Sequence, residues 1–295
     1  MPASDIAGRI AAWMDDRANN ALFPGSDMPA FDTPLIGYAD GADPLFTRIK
    51  EDIGPEFYWT PEQAFAQAFP DDAPPSADAL TVIAWILPQT AATRAAHRAC
   101  RDLPDIAWSR ARHYGEMANE RLRAFVVETL SRDGIPAVAP TLLPQWGRQL
   151  SPRFGFASNW SERHAAHVCG LGTFGLSDGL ITVRGKAVRV GSVVARLRIS
   201  PTPRPYATHN AWCLAAAGRV CRACAKRCPA GAISPAGHDK VKCKAYIRGV
   251  TAPFVEQSQL GFRVNSCGLC QVGVPCESRN PMEKKREENA RGETL

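Results

Sequence analysis

The chain has 295 residues, of which 45% are hydrophobic, and a formal net charge of +6 at pH 7. A chain of this size can bury a full core, and its length indicates at most two domains. The longest apolar stretch, near residues 80–87, is too short for a membrane span, and the start of the chain lacks the apolar segment of a secretory signal, so we expect a cytoplasmic protein without a membrane partner.

Helices and strands alternate along the first two thirds of the sequence. A helix is expected over about residues 5–18. The unbroken apolar run Leu80–Leu87, followed by Pro88, predicts a buried strand. A helix is predicted over Glu116–Ser131, because its apolar side chains share one face and Gly134 follows it. Shorter elements follow: a strand at 135–139, a helix at 162–168 with Ser161 as N-cap, and strands at 180–183 and 187–199. This alternation predicts an α/β layered fold.

Pro201, Pro203 and Pro205 predict a stiff linker after these elements. We therefore divide the chain into an α/β domain over residues 1–200, a cysteine domain over residues 201–281 and a charged tail over residues 282–295.

Eight of the ten cysteines lie in the last third of the sequence. Their spacing resembles the ligand set of two [4Fe–4S] clusters, each of which needs four thiolates. In the two-cluster ferredoxin pattern, the cysteine before a proline, here Cys228, ligates the other cluster. We therefore assign one set to cluster 1 (Cys213, Cys221, Cys224 and Cys276) and one set to cluster 2 (Cys228, Cys243, Cys267 and Cys270).

Two other interpretations of these cysteines stay open. Disulfides are typical of small secreted chains. The two Cys-x-x-Cys pairs could instead bind zinc, which would leave the other four cysteines without a role. Cys169 lies in an apolar turn and is expected to be a buried free thiol, and Cys100 has no predicted partner.

The segment from Ser161 to about Pro281 resembles the epoxyqueuosine reductase family and, more remotely, the reductive dehalogenases. As in that family, a Glu-Arg helix precedes a Gly-Leu-Gly-x-x-Gly turn, here Gly170–Gly175, and Gly191 falls in a following strand. Three cysteine motifs match as well: Cys-x-x-Cys-x-x-x-Cys-Pro from Cys221, Cys-x-x-Tyr from Cys243, and Cys-x-x-Cys-Gln from Cys267.

The resemblance implies a nitroreductase-like α/β core of the cobalamin-binding type, followed by a ferredoxin-like domain with two [4Fe–4S] clusters. It implies that the clusters pass electrons to cobalamin, whose reduced cobalt removes oxygen or halogen from the substrate. The residues that would contribute to cobalamin binding are Arg163, Gly170, Gly172, Gly175 and Gly191, since glycine lets a backbone approach a flat ring closely.

The sequence departs from the family in four ways, the first being two extra residues between Cys270 and Cys276. Gly218 stands where the first cluster cysteine is expected, so Cys213 must reach in from upstream. An ungapped comparison puts Phe156 where the epoxyqueuosine reductases have a catalytic aspartate. The helical-repeat extension of that family does not follow Pro281, so tRNA is the less expected partner.

Tyr114 and Asn159 are the candidate catalytic residues. The reductive dehalogenases use a tyrosine as proton donor, and Tyr114 could do so here; its alternative role is a half-buried aromatic side chain. Asn159 could hold a substrate oxygen or merely cap the chain. For His164 and His167, a structural role is favoured over a metal pair.

We therefore predict a cobalamin-dependent iron–sulfur reductase that acts on a small organic substrate by reductive dehalogenation or deoxygenation. An external donor (a ferredoxin, a flavodoxin or a flavin reductase) would supply electrons, and the basic residues between Arg219 and Arg248 could attract an acidic one. Two alternatives stay open: an iron–sulfur electron-transfer protein without chemistry of its own, and a tRNA epoxyqueuosine reductase with a repositioned acid.

Overall fold

The computed structural model describes residues 5–71, 73, 75–258 and 260–283. Its strands are β1 (Leu35–Asp40), β2 (Thr81–Pro88), β3 (Ala137–Val138), β4 (Arg148–Ser151), β5 (Gly155–Ser158), β6 (Thr173–Phe174), β7 (Leu180–Ile181), β8 (Val188–Ala195), β9 (Ile233–Ser234) and β10 (Gly237–His238). Its helices are α1 (Ile6–Asp15), α2 (Arg17–Asn20), α3 (Pro44–Ile53), α4 (Pro61–Ala68), α5 (Ala91–Ala99), α6 (Ile106–Arg132), α7 (Glu162–Val168), α8 (Ala223–Lys226), α9 (Lys240–Tyr246) and α10 (Ala252–Gln257), with a π-helical turn at Ile247–Thr251.

A four-stranded antiparallel sheet in the order β1-β2-β8-β3 forms the middle of three layers. Every residue of β2 is buried. Ile83, Trp85 and Leu87 pack with apolar side chains of α1 and α6, and the residues that alternate with them pack with α3, α4 and α7. Since successive side chains of a strand point to opposite faces, a strand covered on both faces needs an unbroken apolar run. The predicted α/β class is confirmed at this coarse level, while the nitroreductase-like and ferredoxin-like assignments stay predictions.

Two predicted helices have different bounds in the structure. The long helix α6 begins at Ile106 instead of Glu116, because the Asp105 carboxylate caps it by accepting the N–H of Ala107 at 2.7 Å. The first turns of α6 face the cysteine-rich last third of the chain. Their apolar residues therefore do not continue the apolar face of α6 that packs on the sheet. The predicted first helix is divided at Asp16, where the backbone is extended with ψ 118°. Gly134 ends α6 in the left-handed conformation, as predicted.

The cysteine segment, residues 206–283, contains only short regular elements in the range that the structure describes. Apolar packing and a few specific contacts join it to the layered core: Val272 packs with Trp108 and Ala187, and Trp212 packs with Ile181. The Trp212 N–H donates to Thr173 Oγ1 at 2.9 Å, and Arg98 Nη2 donates to the Glu277 carboxylate at 2.5 Å. Gly268 lies so close to the Trp108 ring that a side chain there would collide with the indole.

Residues 284–295 of the predicted charged tail lie outside the described residues. None of the helices in the described ranges combines the length and the hydropathy that a membrane crossing requires.

Candidate cofactor site

Four cysteines line one small cavity between the glycine turn and the cysteine segment: Cys213, Cys221, Cys224 and Cys276. They come from three separate parts of the chain, and the cavity also contains the side chain of Lys186. Burial raises the pKa of the Cys224 and Cys276 thiols, and the charge of Lys186 opposes that rise. A metal or cluster that bound here would have to displace the thiol protons.

The other four predicted ligands, called the second cysteine group below, are Cys228, Cys243, Cys267 and Cys270. The pKa of Cys267 is raised to about 11, mainly by burial and in smaller part by charge on the Cys243 and Cys228 sulfurs. The pKa of Cys270 is raised to about 12, again mainly by burial. The Ala232 N–H donates to Cys228 Sγ at 3.3 Å, a contact that would stabilise negative charge on this sulfur.

The small cavity contains the four cysteines assigned to cluster 1, while the division into two ligand sets and the role of these cysteines as cluster ligands stay predictions. All ten cysteines are free thiols. Within the described part of the chain, no three histidine, cysteine or acidic side chains come together in a way that could hold a single metal ion. Each group offers sulfur donors alone, which is the donor chemistry of [4Fe–4S] clusters.

A second, much larger cavity of about 1320 Å³ lies beside the first. Its walls come from α3, the β4–β5 hairpin, α7, the glycine turn and residues 209–222. Sites for drug-sized ligands usually enclose about 300–1,000 Å³, so this cavity has room for a larger cofactor.

The two cavities share a wall. The residues that line both are Gly175, Leu176, Cys213, Ala215 and Cys221. Two of these five are members of the first cysteine group. A redox group held by that cysteine group would therefore lie directly behind one side of the large cavity.

The lining of the large cavity is basic. Its positively charged residues are Arg48, Arg148, Arg153, Arg163, Arg219, Arg222 and Lys240, and its acidic residues are Glu51, Asp52 and Asp178. Arg153 pairs with Asp52, and Arg163 Nη1 donates to the Asp178 carbonyl at 2.5 Å. The other four arginines form no ion pair with any described residue, so the cavity carries an excess of positive charge that favours an anionic ligand.

Tyr58 and His164 bring titratable groups to the large cavity. Burial raises the pKa of Tyr58 well above its usual value, so its phenol keeps the proton at neutral pH. Burial lowers the pKa of His164 to about 3, and its Nδ1 lies 2.8 Å from Ser161 Oγ. His164 is therefore neutral under physiological conditions. Ser161 precedes α7 as predicted, but its side chain contacts this imidazole instead of capping the helix.

Asp178 is the other ionisable group of note in the large cavity. Its backbone has φ 56°, and no other non-glycine residue of the described ranges has a positive φ. Burial acts to raise its pKa, but the hydrogen bond to His238 Nδ1 at 3.1 Å and nearby positive charges lower it overall. Asp178 is therefore ionised at neutral pH and is a poor proton donor.

Of the four glycines predicted to contact cobalamin, only Gly175 lines the large cavity. A side chain at Gly170 would collide with the Pro203 carbonyl, and one at Gly172 would collide with the Ile181 carbonyl. Gly191 makes room for the indole of Trp85 in the sheet. Protein packing therefore accounts for three of these glycines, and Arg163 and Gly175 are the predicted cofactor residues that reach the cavity.

The two predicted catalytic residues lie outside the cavity lining. Tyr114 is inside α6, where its ring packs edge-on against Phe262 with centroids 5.5 Å apart. Asn159 is buried and holds the loop before β4: its Nδ2 donates to the Gln145 carbonyl at 2.8 Å, and its Oδ1 accepts from the Gly147 N–H at 3.0 Å. The catalytic roles stay predictions, and the geometry favours other residues.

Phe156 lines the large cavity on the β4–β5 hairpin. Lys240 Nζ donates to the carbonyls of Phe154 and Phe156 at 3.0 and 3.1 Å, and Lys244 Nζ lies 3.6 Å from the centre of the Phe156 ring. An apolar ring thus occupies this part of the cavity lining, and α9 holds the hairpin in place.

Sequence analysis missed Tyr58 and Lys186. Tyr58 lies in a segment rich in proline, glycine and aspartate that gave few structural signals, and Lys186 follows Gly185 in a short turn between two strands. Neither residue belongs to a spacing pattern that indicates chemistry, and only the three-dimensional neighbourhood distinguishes them.

No family model and no curated protein matches the chain. Among solved structures, the chain is similar to a catabolic reductive dehalogenase, with 15% identity over 84% of this chain and 30% of that chain and a TM-score of 0.49. It is also similar to an epoxyqueuosine reductase, with 18% identity over 84% of this chain and 62% of that chain and a TM-score of 0.42. An epoxyqueuosine reductase from Bacillus subtilis gives 16% identity over 84% and 62% of the two chains and a TM-score of 0.41. The chain thus spans 30% to 62% of the length of these structures.

Proposed function

We propose that this chain is an iron–sulfur reductase in which electrons pass through cysteine-held clusters to cobalamin in the large cavity. The observation that carries the proposal is the wall that the two cavities share, because Cys213 and Cys221 line both. A cluster on one side and a cofactor on the other would be separated by a few side chains. Electrons that entered through the second cysteine group could reach the cavity through the first.

Cobalamin is the proposed occupant for two reasons. The cavity volume of about 1320 Å³ exceeds that of most small-ligand sites. The motifs around Arg163 and Gly175 resemble those of cobalamin-dependent families, and both residues line the cavity. When bound and reduced, cobalamin would supply the chemistry that breaks a carbon–oxygen or carbon–halogen bond.

Tyr58 is proposed as the proton donor in place of Tyr114. Replacement of a carbon–halogen bond by a carbon–hydrogen bond consumes two electrons and one proton and releases a halide. The clusters would deliver the electrons singly, and the buried Tyr58 phenol would deliver the proton to carbon from its Oη. Neutral His164, whose ring centroid is 6.3 Å from that of Tyr58, could donate a hydrogen bond to the substrate.

The substrate is proposed to be a small organic anion. Arg48, Arg148, Arg219 and Arg222 are exposed, line the cavity and form no ion pair with a described residue. A carboxylate or phenolate substituent would satisfy one of these guanidinium groups, and the positive field would speed its association.

Anaerobic reconstitution tests this proposal. The chain is purified under argon, loaded with iron and sulfide, and titrated with cobalamin while the cobalamin absorbance is followed. We expect one cobalamin per chain and its reduction when a chemical donor reduces the clusters. Full iron content without cobalamin uptake would instead support the electron-carrier alternative.

The excess of positive charge in the cavity also suits a polyanion, so tRNA epoxyqueuosine reduction is the second candidate. Turnover of epoxyqueuosine-containing tRNA, with none of halogenated aromatic acids, would establish that alternative. Turnover of the acids alone would exclude it.

A further inference from the structure

Lys186 is a buried cation without a carboxylate partner. Its residue is 3% exposed. Among the described residues, its ammonium donates one hydrogen bond, to Ser177 Oγ at 3.1 Å, and forms no ion pair. A buried ammonium is strongly destabilising unless negative charge lies near it. No carboxylate of the described residues neutralises this ammonium, so a negatively charged occupant of the cavity would stabilise it.

The backbone fixes the position of Lys186. Its N–H donates to the Cys276 carbonyl at 2.9 Å. The preceding Gly185 has φ +81°, and any side chain there would collide with the backbone of Glu277 and Ser278. The turn therefore packs tightly against the backbone that follows Cys276. This contact places the Lys186 side chain in the cavity of the first cysteine group.

Cysteine sulfurs are the candidate source of negative charge in the cavity that Lys186 lines. Lys186 shares its cavity with Cys213, Cys221, Cys224 and Cys276. Thiolates that ligate a cluster are therefore the negative charge that this neighbourhood can supply.

We propose that Lys186 is the internal counter-charge of the cluster held by Cys213, Cys221, Cys224 and Cys276, and that it makes this cluster easier to reduce. Each added electron increases the negative charge beside the ammonium, so the reduced form gains more stabilisation than the oxidised form. The electron is thereby favoured at the cluster next to the wall of the large cavity. This inference rests on the proposed function only in requiring that the cysteines hold clusters.

Redox titration of the reconstituted protein tests the role of Lys186. Midpoint potentials are measured by electron paramagnetic resonance for the parent, Lys186→Met and Lys186→Arg, with iron content as the check on assembly. The Cys224→Ser variant identifies the signal that belongs to the first cluster. Lys226→Met is the matched control, because Lys226 is exposed and lies in α8 between Cys224 and Cys228.

We expect Lys186→Met to lower the ratio of reduced to oxidised first cluster about tenfold at a fixed potential, which is about 59 mV for one electron. Lys186→Arg keeps the charge and should shift the potential much less, as should the solvated control. If Lys186→Met loses iron, the uncharged variant Lys186→Gln is used in its place, since the glutamine amide can still reach Ser177. The same tenfold change is expected for it. Full iron with an unchanged potential in the uncharged variant would overturn this inference alone. A parent preparation that takes up no iron would overturn the proposed function along with it.

Discussion

The layered core is stabilised by a different balance of interactions from that of the cysteine segment. In the core, all residues of β2 are buried, and Trp85 is 0% exposed. In the cysteine segment, α9 carries Cys243 but buries none of its residues. Apolar burial therefore stabilises the first region most strongly. The second region has smaller apolar clusters, around Val272 and Ile233, and depends more on polar contacts and on whatever its thiols bind. We expect a loss of apolar packing to destabilise mainly the layered core, and a loss of metal to destabilise mainly the cysteine segment.

Loss of one thiol tests the metal dependence of the cysteine segment and has the largest expected effect. Cys224→Ser should remove about four irons per chain, the content of one cube, and abolish electron delivery to the large cavity. Proteolysis should then begin in residues 206–283 while the core stays intact. Iron analysis and limited proteolysis measure both effects, and Cys100→Ser, outside both groups, is the control. A Cys224→Ser variant with full iron would refute the ligand assignment.

Removal of the central aromatic side chain tests the core in the opposite way. Trp85→Ala leaves a cavity beside Gly191 and deprives Asn119 Oδ1 of a donor at 2.8 Å. The free energy of unfolding should fall by about 3–5 kcal/mol. Denaturant titration measures the loss, and Leu150→Ala, at a residue 71% exposed, should change it by less than about 0.5 kcal/mol. Equal losses in the two variants would contradict the packing described for β2.

Substitutions at two tyrosines distinguish a catalytic role inside the large cavity from a packing role outside it. Tyr58→Phe should lower kcat about 100-fold by removing the proposed proton donor, with cluster content and cobalamin binding unchanged. Tyr114→Phe, outside the cavity lining, should leave kcat within about twofold of the parent, since no proton transfer is lost. Steady-state kinetics on the identified substrate gives the comparison. A larger loss at Tyr114 than at Tyr58 would restore the prediction made from sequence.

The pH dependence of stability tests the contact between the layered core and the cysteine segment, where His97 lies. His97 is 0% exposed, stacks on Trp108 with centroids 4.2 Å apart, and has its pKa lowered to about 4, mainly by burial. Below pH 6.5 the unfolded chain takes up a proton at this histidine that the folded chain does not, so stability falls as the pH falls towards 4. The expected loss between pH 7.5 and 5.5 is about 1 kcal/mol.

The His97→Phe variant should lose that part of the pH dependence, whatever its stability at pH 7.5. Denaturant titration at the two pH values compares the slopes. An identical slope in parent and variant would show that His97 does not stay neutral in the folded protein.

The parts of the fold that depend on local pattern were predictable from sequence. The apolar run of β2, the glycine after α6 and the bounds of α7 follow from periodicity and from terminating residues. The four cysteines of the first cavity are those that the ferredoxin-like spacing assigns to one cluster, and their role as ligands stays a prediction.

The parts that depend on distant segments were not predictable. The large cavity brings α3, the β4–β5 hairpin and residues 209–222 together, and no local pattern relates these segments. The role of Asn159 was not predictable either, because an asparagine before a helix can hydrogen-bond to a ligand or to the backbone of its own chain. The structure uses its amide for the loop before β4.

Iron and acid-labile sulfide analysis of chain prepared under strict argon tests the central claim most directly. The account predicts about eight irons and eight sulfides per chain, with absorbance that bleaches on reduction. A preparation that stays colourless and binds no iron after reconstitution would contradict it.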